Sequence, residues 1–287
     1  MAVVCIIIIK FIENIMKIKG RLIIFFFIVF SFISACLQAQ NEKPAVSAEE
    51  LAKKLSNPVA AMISVPFQNN MDIGIGQYNG SRNTLNLQPV IPINLSPKLN
   101  LITRYIIPVI SQHDITSEGT CQNGLSDAVV SAWFSPAEAK NGLVWGVGPV
   151  FLLPIATDDM LGTKKWGVGA TALVLKQING WTIGALANQI WSIAGDANRS
   201  DVNQMYLQPF IVYNWKSGAG LAVNSEITQN WVSSTTSVFI NPIITGVTKV
   251  GTQIVSLGIG PRIQVAAPNG DRADIGVRAA ITFVFPK

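Results

Sequence analysis

Apolar and polar residues alternate along most of the chain beyond residue 60. The stretch from Ala273 to Phe285 shows this best: one set of alternate positions holds Ala, Ile, Val, Ala, Ile, Phe and Phe, and the other holds Asp, Gly, Arg, Ala, Thr and Val. A period of two indicates a β-strand with two unlike faces. Soluble sandwiches contain such strands, but a long, nearly apolar face that ends on aromatic residues is typical of an outer-membrane barrel, where it lies against lipid.

Turn-forming residues divide the rest of the chain into segments of the same kind. Together with the segment that ends at Phe285, there are twelve such segments. Most of them are close in length to the roughly 9–11 residues that a tilted barrel strand needs. Bacterial single-chain barrels also have an even number of strands. We therefore predict an all-β fold, a transmembrane antiparallel up-and-down β-barrel of about 12 strands. The segments are 61–76, 84–94, 99–110, 125–135, 143–153, 166–176, 181–193, 204–215, 219–230, 236–246, 253–262 and 272–285.

Charged residues within these segments fall on the less apolar face. In the segment 219–230, Glu226 shares its face with Ala222 and Asn224. An unpaired carboxylate in the core of a soluble sandwich would cost several kcal/mol, whereas a polar lumen can accommodate it. We therefore predict that the charged residues on these faces line the lumen of the barrel. They are Arg104, Glu226, Arg262, Asp274 and Arg278.

The connections between segments alternate in length. Short turns such as 96–98 and 216–218 alternate with longer, more polar stretches such as 111–124 and 154–165. Outer-membrane barrels combine short periplasmic turns with longer outer loops. With an even number of strands, this pattern predicts that both termini lie in the periplasm.

Aromatic residues are concentrated near the ends of the segments. Such rings favour the headgroup region, so we predict two aromatic girdles in contact with outer-membrane lipid, with ordinary core packing as the alternative. The aromatic end of the last segment is also a predicted handle for the barrel-assembly machinery. The aromatic residues concerned are Trp133, Phe134, Trp166, Trp181, Trp191, Trp215, Trp231, Phe283 and Phe285.

The first 39 residues have the pattern of a secretory signal peptide. A basic stretch from Lys17 to Arg21 precedes the apolar run 22–35, and Ala39 offers a small residue for cleavage. Residues 1–15 add a second apolar run ahead of the basic stretch, which makes Met16 the more natural start and indicates an overcalled start codon.

Two further features concern the segment that precedes the barrel. Cys36 follows Ile33-Ser34-Ala35 and would be acylated if this were a lipoprotein signal, an alternative that the sequence leaves open.

Residues 40–58 are polar, and Ser47 followed by two glutamates is typical of a helix start. We predict a short N-terminal helix here, in the periplasm or tucked into one end of the barrel, with the barrel itself spanning 59–287.

Composition and charge fit a membrane barrel better than a soluble domain. The chain is 49% hydrophobic and 13% charged, about half the charged share of a soluble domain. After removal of residues 1–39, 17 basic and 15 acidic residues remain, so most of the net positive charge belongs to the signal and no nucleic-acid partner is predicted. Cys121 is then the single cysteine, which excludes an intramolecular disulfide.

Residues that could carry catalysis or bind a cofactor are few. His113 is the single histidine, and its neighbours Ser111 and Asp114 are ordinary loop residues rather than a recognisable triad. His113 and Cys121 together are two ligands short of the usual zinc site. The acid-containing stretch 157–167 lacks the calcium-hand pattern. We therefore predict no catalytic residues, no metal site and no cofactor.

Several stretches of the mature chain carry a family resemblance. They are 51–58, 63–70, 87–92, 145–154, 185–192 and 283–287. They resemble the outer-membrane transporter family grouped as MetA-pathway of phenol degradation, whose members are sometimes labelled neuromedin U. The resemblance implies a Gram-negative outer-membrane barrel that passes small compounds, aromatic ones among them. It implies no set of catalytic or binding residues.

These observations predict a channel or transporter for the passive passage of small solutes, with aromatic or hydrophobic compounds as candidates. No nucleotide-binding motif indicates active transport. Twelve strands lie between the filled eight-stranded and the open sixteen-stranded barrels, so we expect a narrow or partly plugged passage. Three alternatives remain: a barrel enzyme acting on lipid with His113 as its base, a structural barrel with a filled lumen, and a soluble periplasmic sandwich.

Overall fold

The computed structural model describes residues 48–58, 62–251, 253–268 and 271–285. The predicted signal peptide, the alternative lipidation site at Cys36 and the predicted helix cap Ser47 all lie outside the described residues. The chain divides into two units, and the larger of them comprises Val46–Thr248 and Gln253–Lys287. This unit contains the helix and the barrel strands, apart from the strand residues Lys249 and Val250.

Twelve antiparallel strands form a closed barrel, as the alternating pattern predicts. Each strand pairs with its sequence neighbours, and the last pairs with the first from Ile63 opposite Phe285 to Ile73 opposite Ile275. Three of the strands are interrupted and consist of two segments. The strands are β1 (Ile63–Ile75), β2 (Gly80–Leu87 and Val90–Ser96), β3 (Leu99–His113), β4 (Cys121–Leu125 and Ala128–Pro136), β5 (Leu143–Leu153), β6 (Lys165–Ile178), β7 (Trp181–Gly195), β8 (Asn203–Asn214), β9 (Ala219–Asn230), β10 (Thr235–Val250), β11 (Gln253–Pro261 and Ile263–Ala266) and β12 (Ile275–Phe285).

The connections separate into two ends of the barrel. One end, termed the turn end, carries short connections such as 97–98 and 179–180 together with the start of β1 and the end of β12. The other, termed the loop end, carries longer connections such as 114–120, 154–164 and 196–202. The alternation of lengths along the sequence is therefore present in the structure.

A short helix, α1 (Ala48–Leu55), packs at the turn end, as predicted for the segment before the barrel. Its first turn contains two glutamates and its last turn two lysines, which complements the helix dipole. Leu51 is buried in a cluster with Met62 and Val284 of the barrel. Gln177 of β6 donates a hydrogen bond to the carbonyl oxygen of Lys53 at 2.8 Å. Within the described part of the chain, no helix is long and apolar enough to cross a membrane.

The outer face of the barrel is apolar and carries most of the predicted aromatic residues. Along β12, Ile275, Val277 and Phe285 are exposed, whereas Gly276 and Arg278 between them are buried. This alternation is that of a strand with one face toward lipid. Six other aromatic side chains of the predicted girdles are 41–51% exposed. They are Phe134, Trp166, Trp181, Trp191, Trp215 and Trp231.

Trp133 corrects the girdle prediction, because it points into the barrel. Its side chain is 0% exposed, and its indole nitrogen donates a hydrogen bond to the Thr171 hydroxyl of β6 at 3.0 Å. Successive side chains of a strand point to opposite faces, so Trp133 and its exposed neighbour Phe134 cannot both face lipid. Trp133 is instead part of an apolar cluster that fills one side of the interior. Its other members include Val90, Ile102, Val144, Leu173, Leu175 and Leu186.

A close approach of β4 and β5 accompanies this cluster. A methyl group on Gly148 would lie 1.9 Å from the Ala132 carbonyl oxygen, and one on Gly146 would lie 3.0 Å from Cβ of Trp133. Only glycine leaves the space that such an approach requires. The glycines therefore allow the large Trp133 ring to occupy the interior.

Candidate solute passage in the barrel interior

Four charged side chains meet inside the barrel and form what is termed here the charged belt: Asp72, Glu226, Arg262 and Arg278. Oε2 of Glu226 lies 2.6 Å from Nη1 of Arg262 and 2.9 Å from Nη2 of Arg278. Nε of Arg262 lies 3.2 Å from Oδ1 of Asp72. Glu226 is on β9 and Arg278 on β12, so their bond bridges the inner face of the two strands between them. The belt therefore narrows the interior of the barrel.

Uncharged neighbours hold the belt in place. Nε of Arg278 donates to Oδ1 of Asn70 at 2.7 Å, directly across the β1–β12 pair. The guanidinium of Arg262 lies 3.5 Å from the ring centroid of Phe239, within the range of a cation–π contact. The side chain of Arg278 is 2% exposed and that of Glu226 15% exposed. Two cations and two anions thus compensate each other in a largely desolvated cluster.

Two further arginines lie in the interior, and their hydrogen-bond partners are amides. Arg104 of β3 donates to the side-chain oxygen of Gln88. Nε of Arg82 of β2 donates to the side-chain oxygen of Gln112 at 2.8 Å. Among the described residues, no carboxylate is within ion-pair distance of either guanidinium. The charged side chains of the interior therefore carry an excess of positive charge.

A turn-end cavity of about 290 Å³ lies between α1 and the charged belt. Helix residues such as Lys54 and Leu55 line one side of it, and Arg104, Phe210 and Asn224 of the barrel line the other. The helix therefore forms part of the wall of this cavity.

A loop-end cavity of about 260 Å³ lies on the opposite side of the belt. Asp72 and Arg82 line it together with Phe239, Gln264 and Asp271. Asp72 also belongs to the belt, so the belt forms the inner boundary of this cavity. The belt therefore lies between two separate cavities in the interior.

The residues predicted to line the lumen are not all found together. Glu226, Arg262 and Arg278 meet in the charged belt, and Arg104 lines the turn-end cavity. Asp274 directly precedes β12, which begins at Ile275. It is exposed at the rim of the loop end, where its backbone N–H donates to the carbonyl oxygen of Ile73.

Some interior residues were missed although the same signal was present. Asn70 and Asp72 are buried on the inner face of β1, and they alternate with Met71 and Ile73 in the predicted segment 61–76. A period-two count over that segment would have found them. The phenol of Tyr206 also lies within electrostatic reach of Glu226 and Arg104, and its alternate neighbours Gln204 and Gln208 indicate the inner face in the predicted segment 204–215.

The loop end is organised by carboxylates. Asp127 accepts hydrogen bonds from the backbone N–H and hydroxyl of Thr163, both at 2.6 Å, which fixes the loop 154–164. Asp201 in the loop 196–202 lies 3.0 Å from Nζ of Lys165, and this hydrogen bond lowers the pKa of Asp201 below its usual value. Within the described residues, no cluster of three or more His, Cys, Asp or Glu side chains could hold a metal ion.

His113 lies on the outer face at the loop end. In the strand register it is opposite Ser81 on one side and Cys121 on the other. Both His113 and Cys121 are exposed. The histidine is therefore separate from the interior cavities.

The fold defines the class: a closed, twelve-stranded transmembrane β-barrel of the outer-membrane type with a helix at one end. It is similar to an outer membrane channel from Pseudomonas putida F1, with 16% identity and a TM-score of 0.61 over 86% of this chain and 98% of that chain. Outer membrane phospholipase A from Escherichia coli has 12% identity and a TM-score of 0.45 over 84% and 99% of the two chains. The NanC porin has 12% identity and a TM-score of 0.42 over 78% and 99%. At these identities the likeness concerns the fold alone. No family model and no curated protein matches the chain.

Proposed function

We propose that this protein is an outer-membrane channel for the passive passage of small solutes. The observation that carries the proposal is the pair of cavities, about 290 and 260 Å³, on the two sides of the charged belt. A barrel with only a structural role could fill its interior with apolar side chains, as the Trp133 side of this barrel does. The two cavities, with their polar and charged lining, instead offer a path that small hydrated solutes can follow.

The outer-membrane location is supported by the outer surface. Large apolar side chains such as Ile193, Ile244 and Ile275 are 65–68% exposed on the outside of the strands. A soluble protein rarely exposes a continuous apolar surface, whereas a barrel in lipid requires one. The resemblance to the MetA-pathway-of-phenol-degradation family supports the same proposal and adds aromatic compounds as candidate solutes.

Single-channel recording of the purified, folded protein in planar bilayers tests the proposal. We expect discrete conductance events, together with flux of small solutes in liposome swelling. The double variant Glu226→Ser and Arg278→Ser removes the bond that bridges β9 and β12 while it conserves net charge, so its conductance should rise about twofold or more. Lys98→Ser, in an exposed turn away from the belt, is the control and should conduct like the native protein.

Folded protein that shows neither conductance nor solute flux would contradict the channel proposal and favour a structural barrel with a filled lumen. Heat-dependent migration in electrophoresis establishes that the tested sample is folded.

A barrel enzyme acting on lipid is the second candidate, and one observation favours it. Ser81 and His113 are register partners on the outer face of the barrel, near the loop end. A hydrolase acting on lipid would need a nucleophile and a base in such a place. We expect no esterase activity from the folded protein; activity that is abolished in His113→Ala and kept in Gln122→Ala would establish the enzyme instead.

A further inference from the structure

The turn-end cavity combines positive charge with apolar walls. Its charged lining residues are Arg104 and Lys54, and no carboxylate is among the described residues that line it. Phe210, Leu55 and Val247 contribute apolar surface to the same cavity. This combination differs from the belt, where each cation has an anion beside it.

Arg104 is the principal charge available in this cavity. Lys54 already forms an ion pair with Glu50 at 3.1 Å on the exposed side of the helix. A guanidinium has five N–H donors, and the described residues give Arg104 one hydrogen bond, to Gln88. Tyr206 and Glu226 interact with Arg104 electrostatically, and Glu226 already accepts hydrogen bonds from two other arginines. Donors of Arg104 therefore remain for a ligand.

A carboxylate is the group that best fits these donors. The planar fork of a guanidinium pairs with the two oxygens of a carboxylate through parallel hydrogen bonds. A neutral aromatic compound would leave the guanidinium without an anion, and an inorganic anion would leave the apolar walls without contacts. A volume of about 290 Å³ is at the lower limit of ordinary ligand pockets, which restricts the ligand to about the size of one aromatic ring.

We propose that the turn-end cavity is a binding site for small organic carboxylates with an apolar body. The carboxylate pairs with Arg104, and the apolar body lies against Phe210 and Leu55. This inference rests on the proposed channel function, because it names the class of solute that the passage retains. The site lies between α1 and the charged belt, so a bound carboxylate obstructs the path along the barrel.

Calorimetric titration of the detergent-solubilised, folded protein with benzoate tests the site directly. Benzamide has the same shape without the charge, so we expect it to bind at least about 10-fold more weakly. Arg104→Gln should weaken benzoate binding by roughly 10- to 100-fold, which is the worth of a charge-assisted hydrogen bond. Arg104→Lys should keep part of the affinity, and Lys98→Gln, the same loss of charge at an exposed turn, should leave it unchanged.

Three results would overturn the inference: equal affinity for benzoate and benzamide, native affinity in Arg104→Gln, or no benzoate binding at millimolar concentration. If Arg104→Gln does not fold, the comparison of benzoate with benzamide on the native protein decides. Conductance is recorded on the same samples. A protein that conducts but does not discriminate benzoate from benzamide disproves the site and leaves the channel intact, whereas one that binds benzoate without conducting disproves the channel.

Discussion

Glu226 shows how a single carboxylate can organise the interior of this barrel. It accepts hydrogen bonds from Arg262 and Arg278, which belong to different strands and would repel each other without it. Removing one member of a desolvated charge cluster is costly when the remaining members are left uncompensated. The consequences of substitution should therefore depend on which member is removed.

We expect Glu226→Gln to be more destabilising than Arg278→Met. The first change leaves two neighbouring guanidiniums without their shared anion, which should lower the free energy of unfolding by about 3 kcal/mol. The second leaves Glu226 paired with Arg262 and should have a smaller effect. Urea unfolding in detergent micelles, followed by tryptophan fluorescence, measures both. Since the two positions are coupled, the double variant should be less destabilised than the sum of the single changes.

The opposite ranking, or strict additivity of the two changes, would show that the belt does not act as a connected cluster.

For single residues, the sequence predicts which face of a strand a side chain occupies better than it predicts which residue that side chain contacts. The two-residue alternation of polarity assigns Glu226 and Arg278 to the less apolar face of their strands, because adjacent positions differ strongly in polarity. It could not pair them, since they are 52 positions apart in the chain. Trp133 was misassigned because the girdle prediction used only its place near a segment end, although its alternate neighbours Ser131 and Ser135 are polar and indicate the inner face.

Among the elements, α1 differs from the strands in how it is held. The strands are joined by continuous ladders of hydrogen bonds around the barrel, whereas the helix is held by a small apolar cluster and a few side-chain hydrogen bonds. One of these joins Nδ2 of Asn214 to the hydroxyl of Ser56 at 3.0 Å. The helix should therefore detach at a much lower cost than any strand.

We expect Leu51→Asp to release the helix and raise the single-channel conductance. Leu51 is 7% exposed and packs against Met62 and Val284, so a carboxylate there would be buried without a partner. The barrel ladder remains, so the thermal unfolding transition should change little. Glu49→Gln, on the same helix but outside that cluster, is the matched control and should behave like the native protein. Native conductance in Leu51→Asp would show that the helix does not restrict the passage.

The sequence predicts the strands well and their interruptions poorly. The segment 143–153 coincides with β5, because strong alternation and clear turns bound it. β2 begins four residues before the predicted 84, since Gly80 to Asn83 present polar residues on both faces. The break in β2 follows from Pro89, which has no N–H to donate to the ladder, although its exact extent depends on the pairing with β1 and β3.

At the largest scale, the barrel has two unlike ends and an interior that is divided lengthwise. The apolar cluster around Trp133 is built from side chains of β2 to β7, and the charged belt from side chains of β9 to β1. Closure and strand number follow from local alternation and an even count, both of which the sequence contains. The division of the interior does not follow from local alternation, because it arises from side chains that meet only after the barrel has closed.

The orientation in the membrane can be tested with a residue that the chain already has. Cys121 is exposed at the loop end and is the single cysteine of the predicted mature chain. If the longer loops face outward and both termini are periplasmic, a membrane-impermeant maleimide should label Cys121 on intact cells, and Cys121→Ser should abolish the label.

In the Cys121→Ser background, Ser217→Cys places the thiol in an exposed turn at the opposite end. It should react only after the outer membrane is permeabilised, because the turn end would then face the periplasm. The reverse pattern, with Ser217→Cys labelled on intact cells and Cys121 protected, would place the termini outside.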